Sequence, residues 1–244
     1  IERRNELLDA KAAELTDSLA KDGFRSCVLK GQGYALLYPN PRRRQSGDID
    51  IWVEGSRDQI LGYLKQKYTV HNPVIHHVDV DVFDDVPVEV HFIPSYTYNP
   101  FRYRKFKKFF TKQADAQFSN ICKKHGFAYP TMEFNGVYCL MHIFKHVLYE
   151  GIGLRQLLDY FYILKNCSDC KKEVWQNIRW MGLDKFAAAV MYVEQTVFGL
   201  EDAYLVCPPD EKNGRILLAE IECSGNFGKF DKRNSGVDEC NGIV

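Results

Sequence analysis

Apolar residues recur at helical spacing from the start of the chain. Leu7, Leu8, Ala12, Leu15 and Leu19 share one stripe, which predicts a helix over 2–21 that Asp22-Gly23 ends. Residues 24–29 form a short buried strand, and 31–38 a short helix stopped by Pro39 and Pro41. The polar loop Arg42-Arg43-Arg44-Gln45-Ser46 leads into a strand over 48–53, and 56–67 is again amphipathic. From His76 to Phe83 the pattern alternates strictly at its centre, Asp84-Asp85 turns the chain, and 86–93 alternates once more, as a β-hairpin does. The order α-β-α-β-α-β-β predicts a small sheet with helices packed on it.

Beyond Pro94 the period changes. Helical spacing runs through 101–118, 135–149, 154–165, 171–181 and 185–198. The expected class is therefore α/β (α+β): a small mixed-sheet domain over 1–98, then a helical domain over 99–200. The remainder, 201–244, is a C-terminal extension expected to be partly disordered, because its end is polar and glycine-rich from Cys223 onward.

Composition narrows the setting. The 244 residues are 45% hydrophobic, enough for a substantial core, and 32 basic residues balance 32 acidic ones, so no global field draws in nucleic acid. The chain begins at Ile1, not at methionine, which leaves room for a true N-terminus upstream. The first residues are too charged for a secretory signal, and no long uncharged apolar run exists, so neither export nor a membrane span is expected and the cytoplasm is the expected location. A chain of this length needs no disulfide staples, so its eight cysteines are expected as free thiols. Cys167-Ser168-Asp169-Cys170 lacks a second pair at zinc-finger spacing and reads as a loop or helix-cap coincidence.

The chemistry concentrates in two stretches. Val28-Leu29-Lys30-Gly31-Gln32-Gly33 reads as a strand followed by a glycine turn, and Gly47-Asp48-Ile49-Asp50-Ile51-Trp52-Val53 as a strand carrying two carboxylates. Asp48 and Asp50 are two residues apart, so both project from one face while Ile49, Ile51 and Val53 face the core. Adjacent carboxylates repel unless a cation sits between them, as in sites for divalent metals. A glycine turn with free backbone N–H groups suits phosphate. Together they point to metal-dependent chemistry on a nucleoside triphosphate.

A third carboxylate is available from Glu89, Asp79 or Asp81 of the hairpin. A three-residue turn sets Asp81 opposite Glu89, with all on one face; two or four turn residues set Glu89 opposite a valine, with the aspartates facing away. Glu89 lies between Val88 and Val90, and a carboxylate buried there would need a cationic partner; the plainer alternative is a solvent-facing residue on a half-exposed strand.

The ordered set of motifs resembles the nucleotidyltransferase superfamily that includes DNA polymerase beta, and most closely its uncharacterised nucleotidyltransferases. The residues carrying the resemblance are Leu29-Lys30-Gly31, Arg44, Asp48-Ile49-Asp50, Glu89-Val90-His91, His142 with His146, and Leu154-Arg155 with Asp159, spread over about residues 20–165. The resemblance implies transfer of an NMP from an NTP, with ATP the expected donor, to an unidentified hydroxyl or phosphate acceptor, releasing pyrophosphate. It also implies that 1–98 is the catalytic domain and that the helical domain completes the cleft. Asp48, Asp50 and Glu89 would hold two Mg2+ ions, with Mn2+ a possible substitute, and Glu89 would help deprotonate the acceptor. Lys30, Gly31, Gln32, Gly33 and Arg44 would contact the phosphates, and His142, His146 and Arg155 would line the base or acceptor pocket.

Several of these residues also have a plain reading. Arg44 belongs to a run of three arginines that solvent alone explains, the two histidines share a helix face as core residues do, and Arg155 and Asp159 are spaced for a helix salt bridge. Residues 101–112 mix six basic and five aromatic residues, the composition of a single-strand nucleic-acid platform. But Tyr103, Phe106 and Phe110 fall at helical spacing, as on an ordinary surface helix, so nucleic acid is a possible but not a favoured partner. From another functional class, the competing reading is a non-catalytic nucleotide- or RNA-binding module that retains the fold.

Overall fold

A computed structural model describes residues 1–224. The chain divides into two compact units, residues 1–138 and the part from Cys139 onward. The first opens with α1 (Glu2–Lys21), whose Leu8, Ala12, Leu15 and Leu19 are buried as their spacing predicts. Next come β1 (Ser26–Val28), α2 (Lys30–Ala35), β2 (Ile49–Val53) and α3 (Arg57–Lys67), the last capped by the Ser56 side chain accepting from the Gln59 N–H. Three strands follow, β3 (Thr69–His71), β4 (His77–Asp81) and β5 (Val88–His91). Helix α4 (Pro100–Ser119), a two-stranded ribbon of β6 (Ile121–Cys122) and β7 (Phe127–Ala128), and the first part of α5 (Met132–Tyr149) complete the unit.

The five-stranded sheet has the order β1-β2-β5-β4-β3, with β2 and β5 parallel and the other pairs antiparallel. Its two faces differ in chemistry. Ile49, Ile51 and Val53 of β2, Val78 and Val80 of β4, and Val88 and Val90 of β5 point one way, into a core shared with the α1 stripe and Ile60, Leu61 and Leu64 of α3. The alternate residues therefore point the other way. Those are Asp50 and Trp52, Glu89 and His91, and His77 and Asp79, in lateral register across three adjacent strands. Trp52 is covered by Phe118 and Phe134, at ring distances of 4.7 and 6.0 Å.

The hairpin answers the question of turn parity. Val80 opposes Val88, so the odd stretch 81–87 separates the last pair and Glu89 opposes Asp79. The one-face arrangement is realised, but with Asp79 rather than Asp81 across from Glu89. Strand β3 and the β6–β7 ribbon were not expected from the sequence; they are two or three residues long, too short for alternation to register.

The second unit contains α6 (Leu154–Lys165), α7 (Lys171–Met181), α8 (Asp184–Phe198) and α9 (Glu211–Ser224). Helices α7 and α8 each end at a left-handed glycine, Gly182 and Gly199, whose N–H groups bond back to Arg179 O and Gln195 O. Helix α9 occupies a stretch where the sequence pattern had faded; the tail expected to be loose lies, from residue 225 on, outside the described residues. Cys27, Cys139, Cys167 and Cys207 are buried and outside any disulfide, and the Cys170 Sγ faces the Cys167 carbonyl at 3.6 Å within a short 3-10 turn. No described helix is long and apolar enough to cross a membrane.

Candidate active site

The site is built on β2 and β5. Their parallel pairing sets Asp50 beside Glu89 and Trp52 beside His91. Asp48 precedes β2 at the same parity and is half-buried, whereas Asp50 is 3% exposed. Burial alone would push the Asp50 carboxyl up. Instead Lys30 Nζ lies 2.7 Å from its Oδ1 and His91 Nε2 2.9 Å from the same oxygen, and together they hold it well below the usual carboxylate range. Among the described residues Asp48 has no such contact: the charge of Asp50, followed by burial, outweighs the more distant Lys30 and pushes it up to about 6. Glu89 is raised by burial but pulled down further by His91, whose Nε2 is 3.5 Å from its Oε2.

Lys30 arrives from the glycine turn. It is the first residue of α2, and burial works against its charge while Asp50, Tyr138 and Glu89 favour it, leaving its pKa raised. Gly31 adopts φ +33°, a conformation L side chains rarely take, and a Cβ there would meet Asp48 O at 3.4 Å. At Gly33 a Cβ would be 2.8 Å from Val28 O, which forces the backbone apart. The turn is thus shaped by its contact with β1 and with the residue opening the carboxylate strand.

Other expected residues are placed differently. The Gln32 side-chain amide is buried and donates to Asp9 Oδ1 at 2.5 Å on α1, so its side chain braces the turn against a helix. Arg44 is buried, donating to Ser46 Oγ at 2.7 Å, with its guanidinium 5.9 Å from the Tyr34 ring centre. It is therefore not one of three equivalent solvated arginines: Arg42 and Arg43 are exposed. In the second unit, the rings of His142 and His146 lie 4.2 Å apart edge to face. His146 Nδ1 is 2.9 Å from Glu150 Oε2, and with Lys145 it pulls that carboxyl down to about 2. Arg155 is exposed on α6 and Asp159 is buried on the same helix. On α4, Phe106, Phe109 and Phe110 turn inward while Arg104, Lys107, Lys108 and Lys112 are exposed, the amphipathic arrangement.

Lys30, Asp48, Asp50 and Glu89 thus come together on one sheet face. Sequence reasoning missed His77 as a neighbour of this group and gave His91 no role in it. The alternation His77-x-Asp79 was visible, but the strand pairing that carries it beside Glu89 was not. A family model described as uncharacterised nucleotidyltransferase matches residues 1–199.

The chain belongs to that nucleotidyltransferase family.

Two solved structures are similar over most of the chain. An antigenic nucleotidyltransferase-like protein from Paracoccidioides brasiliensis aligns at 12% identity over 85% of this chain and 96% of its own, with a TM-score of 0.47. A CCA-adding enzyme in complex with CTP aligns at 12% identity over 88% of this chain and 67% of its own, with a TM-score of 0.26. No curated protein matches. Within the nucleotidyltransferase family, the sheet-face cluster is the candidate active site. Its donor set fits a divalent cation: half-buried Asp48 is crowded by Asp50, no basic side chain among the described residues is in contact with it, and Glu89 stands alongside.

Proposed function

We propose that the protein is a metal-dependent nucleotidyltransferase that moves an NMP from an NTP, ATP by preference, to a hydroxyl or phosphate acceptor. The observation that carries this reading is the lateral pairing of Asp50 with Glu89 on one sheet face, with Asp48 at the strand entrance and Lys30 against Asp50. Asp48, Asp50 and Glu89 would hold two Mg2+ ions, or Mn2+ in their place. Such ions would supply positive charge to offset the negative charge that builds up during phosphoryl transfer.

The chain's own groups do the rest. The backbone of Lys30 through Gly33 receives the β- and γ-phosphates, and Arg44 supports that side of the site as a buried guanidinium. Glu89 accepts the proton of the acceptor hydroxyl as the acceptor oxygen bonds to the α-phosphorus. The bond from that phosphorus to the bridging oxygen breaks, and pyrophosphate leaves. His142, His146 and Arg155 are assigned to the base or acceptor side, as the family resemblance implies. Residues 1–98 serve as the catalytic domain and 99–200 as the helical part completing it, with the cytoplasm as the place of action.

One observation favours the non-catalytic reading. Lys30 and His91 already neutralise Asp50, as in a site that binds nucleotide without turning it over. Incubating the full chain with cell extract, Mg2+ and each NTP in turn decides between the two. Mg2+-dependent pyrophosphate release together with an NMP adduct found by mass spectrometry is the expected result. Tight NTP binding with no pyrophosphate under any NTP would leave only the binding module.

A further inference from the structure

The catalytic carboxylates do not use all the donors on this sheet face. Among the described residues, one group of metal-ligating side chains converges closely enough to share an ion: His77, Glu89 and His91, with one donor atom from each within 4.8 Å of the others. His91 Nε2 is 3.5 Å and His77 Nδ1 3.9 Å from Glu89 Oε2. Those separations are too long for good hydrogen bonds. They match what an ion requires, because ligands held at about 2.1 Å sit about 3.4 Å apart at a tetrahedral angle and about 4.2 Å apart in line.

A second observation points the same way. His77 Nδ1 is buried and has no hydrogen-bond partner among the described residues, an arrangement that is costly unless something else meets the nitrogen. On the far side of the same ring, Nε2 lies 3.8 Å from Asp79 Oδ1. At that distance Asp79 adds negative charge behind the ring, which favours a cation at Nδ1, but it is not hydrogen-bonded to it. His91 is 2% exposed, and if its Nε2 turns to an ion, Asp50 keeps Lys30 at 2.7 Å.

We propose that His77, Glu89 and His91 form a binding site for a first-row transition-metal dication, Zn2+ or its stand-in Co2+, beside the carboxylates assigned to Mg2+. Two imidazoles and one carboxylate select such ions over Mg2+, which prefers oxygen ligands and octahedral geometry. Glu89 belongs to both sets, so an ion here would border the proposed catalytic centre. The site stands on its own donors and does not depend on the proposed transfer.

The test is metal binding by the purified full chain, freed of ions by chelation and titrated with Co2+, Zn2+ and Mg2+. X-ray absorption of the Zn2+ and Co2+ forms reports whether nitrogen ligands are present. The expected result is one Zn2+ or Co2+ per chain with two imidazole ligands, retained in excess Mg2+. His77→Ala and His77→Gln should each weaken Co2+ binding roughly 10–100-fold or more and remove one nitrogen from the shell, while leaving the circular dichroism spectrum unchanged. An oxygen-only shell overturns the proposal, as does unaltered Co2+ affinity in a folded His77 variant. Failure here with intact pyrophosphate release would remove the site and leave the transferase reading; nitrogen ligation without any transfer would do the opposite.

Discussion

Asp48 and Asp50 are equivalent in the sequence and opposite in the fold. Simple like-charge reasoning suggests that neutralising either carboxylate should leave the protein as stable as before. The pairing of Lys30 with Asp50 makes that true of only one. Asp50→Asn strips a buried ammonium of its nearest counter-charge, and breaking a buried pair from one side costs about 3–5 kcal/mol. Asp48→Asn instead removes a carboxyl already pushed up to about 6, so above pH 6 it should stabilise the fold by on the order of 2 kcal/mol. Under the proposed mechanism both variants lose transfer by orders of magnitude. Denaturant melts at pH 7.5 alongside pyrophosphate assays separate the effects, and an Asp48→Asn protein with wild-type turnover would end the mechanism. Gly31 is a less clean probe than its motif suggests: with φ at +33°, a side chain there strains the fold as well as any phosphate contact.

At the level of elements, the long periodic segments were the readable part. Helices α1, α3, α4, α6, α7 and α8 lie within two residues of their expected spans, because their apolar stripes are the faces they bury. Leu15, 2% exposed in the α1 stripe, should therefore cost about 2–5 kcal/mol as Leu15→Ala, measured by urea unfolding. A loss below 1 kcal/mol would mean that α1 is not integral to the sheet core. The carboxylate strand and its partner were also legible, since alternation fixes which residues share a face. How the hairpin was paired was not, because one residue more or less in the turn inverts every side chain of the following strand. His77 was lost for that reason: its place beside Glu89 depends on register, which no local pattern encodes. Glu194 escaped notice for another. It sits in α8 among apolar residues, 0% exposed, both carboxyl oxygens lacking hydrogen-bond partners among the described residues, and burial holds its pKa well above the ordinary value.

The whole molecule inherits these opposed titrations. Glu194 has a raised folded pKa, so its contribution is fully present below the unfolded value and is lost as pH rises toward the folded one. Asp50 and Glu150 are depressed, so theirs is present above the unfolded value and lost as pH falls. Stability should accordingly peak in mildly acidic to neutral solution. Glu194→Met should flatten the alkaline side and stabilise the protein by about 1–3 kcal/mol. Thermal melts from pH 4 to 9 on both proteins test this, and an unchanged alkaline slope in the variant would exonerate Glu194. The ammonium of Lys30 has a wider consequence. A cluster of acids that depended on bound ions for its shape would fall apart when they were withdrawn. Here one side chain already supplies positive charge at its most deeply buried member. Chelation should therefore leave a single cooperative melt, with the loss limited to the mass-action contribution of bound ions, about 3 kcal/mol at a hundredfold excess over Kd. A chain stripped of ions that melts without cooperativity would contradict this. The protein carries its own counterion, and so it can be made, stored and recharged without losing the scaffold on which its chemistry is proposed to run.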